Sequence, residues 1–114
     1  MVFPNGGQIW FVSLDPVMGH EMGKKRPALV VSNDRSNPFA DTVTVLPITS
    51  KTERVYPFEA FLPREETNLP KDSKVKCNQI RTVDKKRLAN FVGSLSSERL
   101  KDVEQALLIH LGIT

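Results

Sequence analysis

A chain of 114 residues has the length of one ordinary domain, because a core of this size offsets chain entropy without dividing in two. Hydrophobic residues make up 39% and charged residues 25% of it, which excludes the low-hydrophobicity, high-charge regime of disorder. The net charge of +3 leans toward an anionic partner without naming one, and no apolar run approaches the ~20 residues that cross a bilayer.

Gln8 to Leu14 is apolar on both alternating faces and rich in aromatic and β-branched residues, so it predicts a strand covered on two sides. A loop with Gly19, Gly23 and three consecutive basic residues follows, and Pro27 leads into a second apolar strand, Ala28 to Val31. Asn33 to Asp41 is a polar turn region. Thr42 to Ile48 alternates, Pro47 within it removes a ladder donor and predicts an edge or bulge, and Thr49 falls at the strand end. Tyr56 to Leu62 reads as a fourth strand, and Pro63 to Asp72 as an exposed loop. Ser73 to Ile80 alternates again, with Val75 and Cys77 on an apolar face and Lys74, Lys76 and Asn78 on a polar one. A turn or single helical turn at Asp84 to Arg87 precedes a last strand near Ala89 to Leu95.

From Ser97 onward the period changes to about 3.6, with Leu100, Val103, Leu107 and Leu111 as one stripe of a helix. Ser96 or Ser97 caps its start, Glu98 suits the positive end and Gly112 stops it. His110 in the last turn reads as a dipole partner or surface residue. Several short strands and one terminal helix predict a single domain, a small barrel of the α+β or mainly-β kind. Cys77 is the sole cysteine, without an internal disulfide partner, and no basic segment followed by an apolar stretch opens the chain, so the expected compartment is the cytoplasm.

Metal catalysis needs converging ligands, whereas there are two histidines, one cysteine and no HExxH, CxxC or calcium-loop spacing. Neither a metal nor a cofactor is expected. The glycines of Gly19-His20-Glu21-Met22-Gly23-Lys24 have the wrong interval for a phosphate loop, and Cys77 reads as a buried structural thiol. What remains is the loop G-H-E-M-G-K-K-R-P, which is either a solvated hairpin or a histidine, a carboxylate and three cations held between two buried strands. Pro27 biases Arg26 to extended backbone, which ties that cation to a strand start.

The segments G-Q-I-W-F-V-S-L-D-P, G-H-E, K-R-P-A-L-V-V, L-P-I-T-S and N-Q-I-R-T-V-D-K-x-R-L occur in this order, and the helix ends in A-L-x-x-x-L-G. From Gly7 to Gly112 this set resembles the MazF/PemK toxin family of type II toxin-antitoxin systems. The resemblance implies an SH3-like barrel of the CcdB/PemK type with a C-terminal helix, a homodimer, and a cognate antitoxin whose extended segment blocks an RNA groove. It also implies a sequence-specific, metal-independent endoribonuclease that cleaves single-stranded mRNA and so halts translation and growth.

RNA cleavage of that type is transesterification, in which a base takes the 2′-hydroxyl proton, cations stabilise the phosphorane and an acid protonates the 5′-oxygen. By resemblance, Arg26 matches the arginine of the R-P motif and Thr49 the threonine ending the central strand. Arg26 offers a planar fork of donors to phosphate, and a guanidinium that stays protonated suits stabilisation and proton donation rather than a base. Thr49 would supply a hydroxyl to the scissile phosphate; its alternative is a β-branched strand-end residue.

In the PemK-like branch an arginine and an aspartate two residues apart join the G-H-E histidine in catalysis. This chain has His20 but Lys76 and Asn78, and an amide cannot take a proton. Glu21, which matches a glutamate important in other members, or His20, an imidazole able to take a proton, is left as the base. Gln79 and Arg81 match the Q-x-R segment beside the groove: Gln79 could pair with a base edge, and Arg81 with phosphate or, equally, with Asp84. Lys25, Ser50 and Lys51 flank the site and, with Lys76 and Asn78, complete the expected RNA-binding set. Tyr56 and Phe58 are available for stacking on bases.

Two other readings share this fold class. One is a non-enzymatic toxin of the gyrase-poisoning CcdB kind, which would have no use for the K-R-P and P-I-T-S pair. The other is a plain SH3-like interaction module whose loop charges only solvate it.

Overall fold

The computed structural model describes residues 4–113. Among these residues, seven strands and one α-helix follow in the order β1 (Gln8–Ser13), β2 (Lys25–Val30), β3 (Thr42–Thr49), β4 (Glu59–Leu62), β5 (Ser73–Lys76), β6 (Arg81–Asp84), β7 (Leu88–Ser94) and α1 (Ser97–Leu111). Pairing runs β4-β5-β3-β2-β1-β7, and β6 joins β3 along the edge that β5 also uses. All the pairings are antiparallel. The mainly-β body with a C-terminal helix is as expected, but the barrel is open: among the described residues, β4 and β7 end the order instead of pairing with each other.

Pro47 does not mark an edge. It lies buried in the central strand β3, opposite Ala28 of β2. On its other side β3 pairs with β6 only up to Val45 and with β5 only from Ile48. The missing proline donor therefore falls in the gap where β3 changes partner, which is why a proline is tolerated mid-sheet. Strand β2 begins three residues before the expected Ala28, because Lys25 and Arg26 pair with Ser13 and Val12 of β1.

The expected strand from Tyr56 is shorter. Tyr56 accepts from the Glu59 amide at 2.8 Å while the Glu59 carboxylate accepts from the Tyr56 amide at 3.0 Å, so residues 56–58 curl into a turn before β4. The expected strand from Ser73 to Ile80 stops at Lys76, where a 3-10 turn at Cys77–Gln79 takes over, and β6 beyond it is a strand the sequence did not suggest. Lys74 is buried rather than on a solvated face, and Asn78 does not continue the face of Lys74 and Lys76. The single turn after Asp84 forms as expected, with the Asp84 carboxylate accepting from the Lys86 amide.

Each face of the sheet carries its own core. On the helix side Ile9, Leu29, Leu46, Ile48, Leu62, Val75 and Cys77 pack with Val103 and Ala106 of α1. On the other side Val12, Leu14, Ala28, Val30, Val43, Val45 and Val83 pack together, flanked by Trp10 and Leu88. The period-two alternation of β3 assigns Val43 and Val45 to one core and Leu46 and Ile48 to the other. Ser96 caps α1 by accepting from the Arg99 amide at 3.1 Å, and Gly112 ends it at φ 70°. The helical stripe is shorter than expected: Leu100 and Leu107 are half-buried, and Leu111 is exposed along with Leu108, Ile109 and His110.

Candidate active site

Arg26 sits one residue inside β2, across from Val12. Its Nε donates to the Gly23 carbonyl at 2.8 Å, so the loop that precedes it orients the guanidinium. Thr49 ends β3, buried, with its Oγ1 accepting from the Lys51 amide at 3.3 Å. Neighbouring strands thus bring the two together in one recess of about 340 Å³, lined also by Met22, Lys51, Glu53, Arg54, Lys74 and Lys76. Arg26 and Thr49 are shared with a second recess of about 340 Å³, where Lys25 and Ser50 lie beside Phe11 and Lys71.

The cations of the first recess rest on a buried carboxylate. Glu59, with 1% of its side chain exposed, binds Lys74 Nζ at 2.7 Å and lies 3.7 Å from Lys76 Nζ. Burial pushes its carboxyl up, but the Lys74 hydrogen bond, the Tyr56 amide and the charges of Lys74 and Lys76 outweigh that and hold it below the usual carboxylate range. Lys74 Nζ donates in addition to the Arg54 carbonyl at 2.6 Å. The turn before β4 is stiffened by Tyr56, whose ring stacks on Phe58 at 5.2 Å and whose hydroxyl accepts from Arg54 at 3.0 Å.

His20, Glu21, Asn78, Gln79 and Arg81 gather in a third recess, separate from the one that holds Arg26 and Thr49. The two adjoin through Gln79, whose side chain accepts from the Met22 amide at 3.2 Å and donates to the His20 carbonyl at 3.5 Å. Gln79 is thus engaged in holding the 20–22 loop. Glu21 folds back on its own loop, its carboxylate accepting from the Met18 amide at 2.5 Å. Arg81 does not make the ion pair with Asp84 that the sequence allowed: its guanidinium donates to the Leu14 carbonyl at 2.9 Å, while Asp84 serves the Lys86 amide.

Glu59, Arg54 and Glu53 escaped the sequence reading, which also placed Lys74 on a polar strand face rather than in the site. The available signal was a charge inside each of two short alternating strands, E-A-F-L and S-K-V-K, whose antiparallel register sets Glu59 opposite Lys76 and Phe61 opposite Lys74. Among the described residues no three His, Cys, Asp or Glu side chains gather as metal ligands, and no helix is long and apolar enough to cross a membrane.

Residues 5–111 match the family model described as the PemK-like, MazF-like toxin of type II toxin-antitoxin systems. The chain is 41% identical over 112 residues to the endoribonuclease MazF9 of Mycobacterium tuberculosis, covering 94% of this chain and 95% of that protein. Among solved structures it resembles MazF of Deinococcus radiodurans with a TM-score of 0.85 and 30% identity, covering 99% and 100% of the two chains. A mycobacterial endoribonuclease solved with its cognate antitoxin shares the fold at a TM-score of 0.80, with 23% identity over 97% of each chain. With a family model that spans nearly every residue and a fold that agrees with it, this chain belongs to the PemK-like, MazF-like toxins of type II toxin-antitoxin systems.

Proposed function

We propose that this chain is an endoribonuclease toxin that cleaves single-stranded RNA by transesterification, with Arg26 and Thr49 at the scissile phosphate. The observation that carries this reading is the recess in which Arg26 and Thr49 meet Lys51, Arg54, Lys74 and Lys76, with Glu53 on its lining and Glu59 buried behind the last two. A cationic recess with low-dielectric walls concentrates phosphate and stabilises the extra negative charge of a phosphorane. Arg26, steered by the Gly23 carbonyl, supplies the fork of donors to the nonbridging oxygens and a proton toward the departing 5′-oxygen. The Thr49 hydroxyl orients the phosphate.

The base is His20 or Glu21 from the adjoining recess. Glu21 has one carboxylate oxygen committed to Met18, which leaves the other to accept the 2′-hydroxyl proton. Lys25, Ser50, Lys51 and Lys76 follow the RNA backbone on either side of the cut, and Asn78, Gln79 and Arg81 border the flanking nucleotides. Recognition of a particular RNA word follows from those flanking contacts.

The chain is further proposed to work in the cytoplasm as a homodimer, with the exposed apolar end of α1 at Leu108, Ile109 and Leu111 available to a second copy. A cognate antitoxin would be neutralising by laying an extended acidic segment in the cationic recess, in keeping with the relative solved with its antitoxin.

The test is incubation of purified protein with a long single-stranded RNA in EDTA, with the cut ends mapped. Discrete cuts are expected, lost at least about 100-fold in Arg26→Ala and Thr49→Ala, with melting nearly unchanged. Intact RNA with the parent protein would overturn the nuclease reading and point to a protein target such as gyrase. Cleavage that vanishes in EDTA and returns with magnesium would overturn the metal-free chemistry.

A further inference from the structure

From the geometry we infer that Glu59 is a positioning residue, a buried carboxylate on β4 that sets Lys74 and Lys76 of β5 at the phosphate-binding wall of the recess. The inference rests on the nuclease reading and concerns how its cations are held. Lysine is a flexible point charge with three rotatable donors, so unlike arginine it has no shape of its own to fix its aim. Here the aim comes from below. Glu59 is the partner of both ammonium groups, at 2.7 and 3.7 Å, and both lysines line the same recess as Arg26 and Thr49.

The two lysines are held differently. Lys74 is tied down: buried, it gives two of its three donors to Glu59 and the Arg54 carbonyl. Lys76 is looser, with 27% of its side chain exposed and only the longer contact to Glu59, so it keeps donors for a phosphate. One carboxylate against two ammonium groups leaves a single net positive charge, located at Lys76. Glu59 also accepts from the Tyr56 amide, so the turn that leads into β4 is registered on the same group. With its side chain 1% exposed, Glu59 cannot meet the RNA itself and acts only through these neighbours.

Glu59→Gln keeps the shape of the side chain and removes its charge. It frees Lys74 while loosening Lys76, so the wall gains a charge and loses its aim. RNA should bind with a steeper salt dependence, the slope of log K against log salt growing by about 0.7 for one further counterion released from a single strand. Cleavage should slow by about tenfold to a hundredfold in kcat, the scale of a misplacement of ~1 Å, without a rise in KM.

The experiment measures binding of a 2′-O-methyl oligonucleotide, which cannot be cut, over a salt series, and single-turnover cleavage of the matching RNA. Parent, Glu59→Gln and the double variant Glu59→Gln/Lys74→Gln are compared. The double variant carries no buried charge and returns the wall to one net positive charge, so it guards against a misfolded single variant. Its salt slope should return to that of the parent while its kcat stays reduced, because Lys76 still lacks its anchor. A folded Glu59→Gln or double variant that cuts at the parent rate overturns the inference, and so does a slow single variant whose salt slope is unchanged, since a mere packing role would do that. A parent that binds but does not cut removes the nuclease reading, and the salt slopes then decide the positioning of the lysines on their own.

Discussion

Lys74→Met would leave the Glu59 carboxylate in place with 1% of its side chain exposed and without its nearest cation. Losing one partner of a buried pair costs about 3–5 kcal/mol, because the survivor remains desolvated. Glu59 retains the Tyr56 amide at 3.0 Å and Lys76 at 3.7 Å, and the Arg54 carbonyl loses a donor, so the expected loss is about 3 kcal/mol, at the lower end. For a domain of this length that is about 12 °C in Tm.

The pH dependence carries the sign. In the parent, the carboxyl of Glu59 is held below its ordinary value, so its stabilisation is present above the unfolded pKa of about 4.3 and lost as pH falls through the lower folded value. In the variant, burial acts against fewer opposing groups, the folded pKa rises, and protonation relieves the buried charge. The gap between the two proteins therefore narrows as pH is lowered from about 7 toward 4. Thermal and urea unfolding at one fixed protein concentration, at neutral and acidic pH, would measure it. A variant that melts within about 2 °C of the parent at neutral pH, or a gap that widens on acidification, refutes the reasoning.

Leu62→Ala opens a cavity at a fully buried β4 position on the helix-side core, and should cost about 3 kcal/mol in urea unfolding with an unchanged m-value; a loss below about 1 kcal/mol would mean that this core is not packed as described. Burial pushes the Cys77 thiol up to about 11, so at neutral pH almost none of it is thiolate. Iodoacetamide should label the native protein at least about 100-fold more slowly than the urea-unfolded chain, and equal rates would contradict the burial of Cys77.

Much of the local structure was legible in the chain. The apolar run of β1, the alternation of β3, the single turn after Asp84 and the capped helix from Ser97 to Gly112 are short-range matters of period and end chemistry, and each forms as read. The pairing of Arg26 with Thr49 was anticipated through the family motifs, and the two side chains do share a recess.

What sequence alone determined, then, was the terminal helix, six of the seven described strands in their order, the family, and the K-R-P and P-I-T-S segments that carry Arg26 and Thr49. Tertiary structure decided the rest. Pro47 proved central because the partners of β3 change beside it, a matter of strand pairing that no local preference encodes. Lys74 proved buried because β4 sets Glu59 within 2.7 Å of it, and a lysine read alone looks solvated until its partner is placed. His20 and Glu21 fell to a neighbouring recess because Gln79, 57 residues beyond Met22, ties down their loop. Periodicity reports which face a residue takes along its own strand, whereas hydrogen bonds and ion pairs between distant segments depend on register, and register is fixed only when the strands meet.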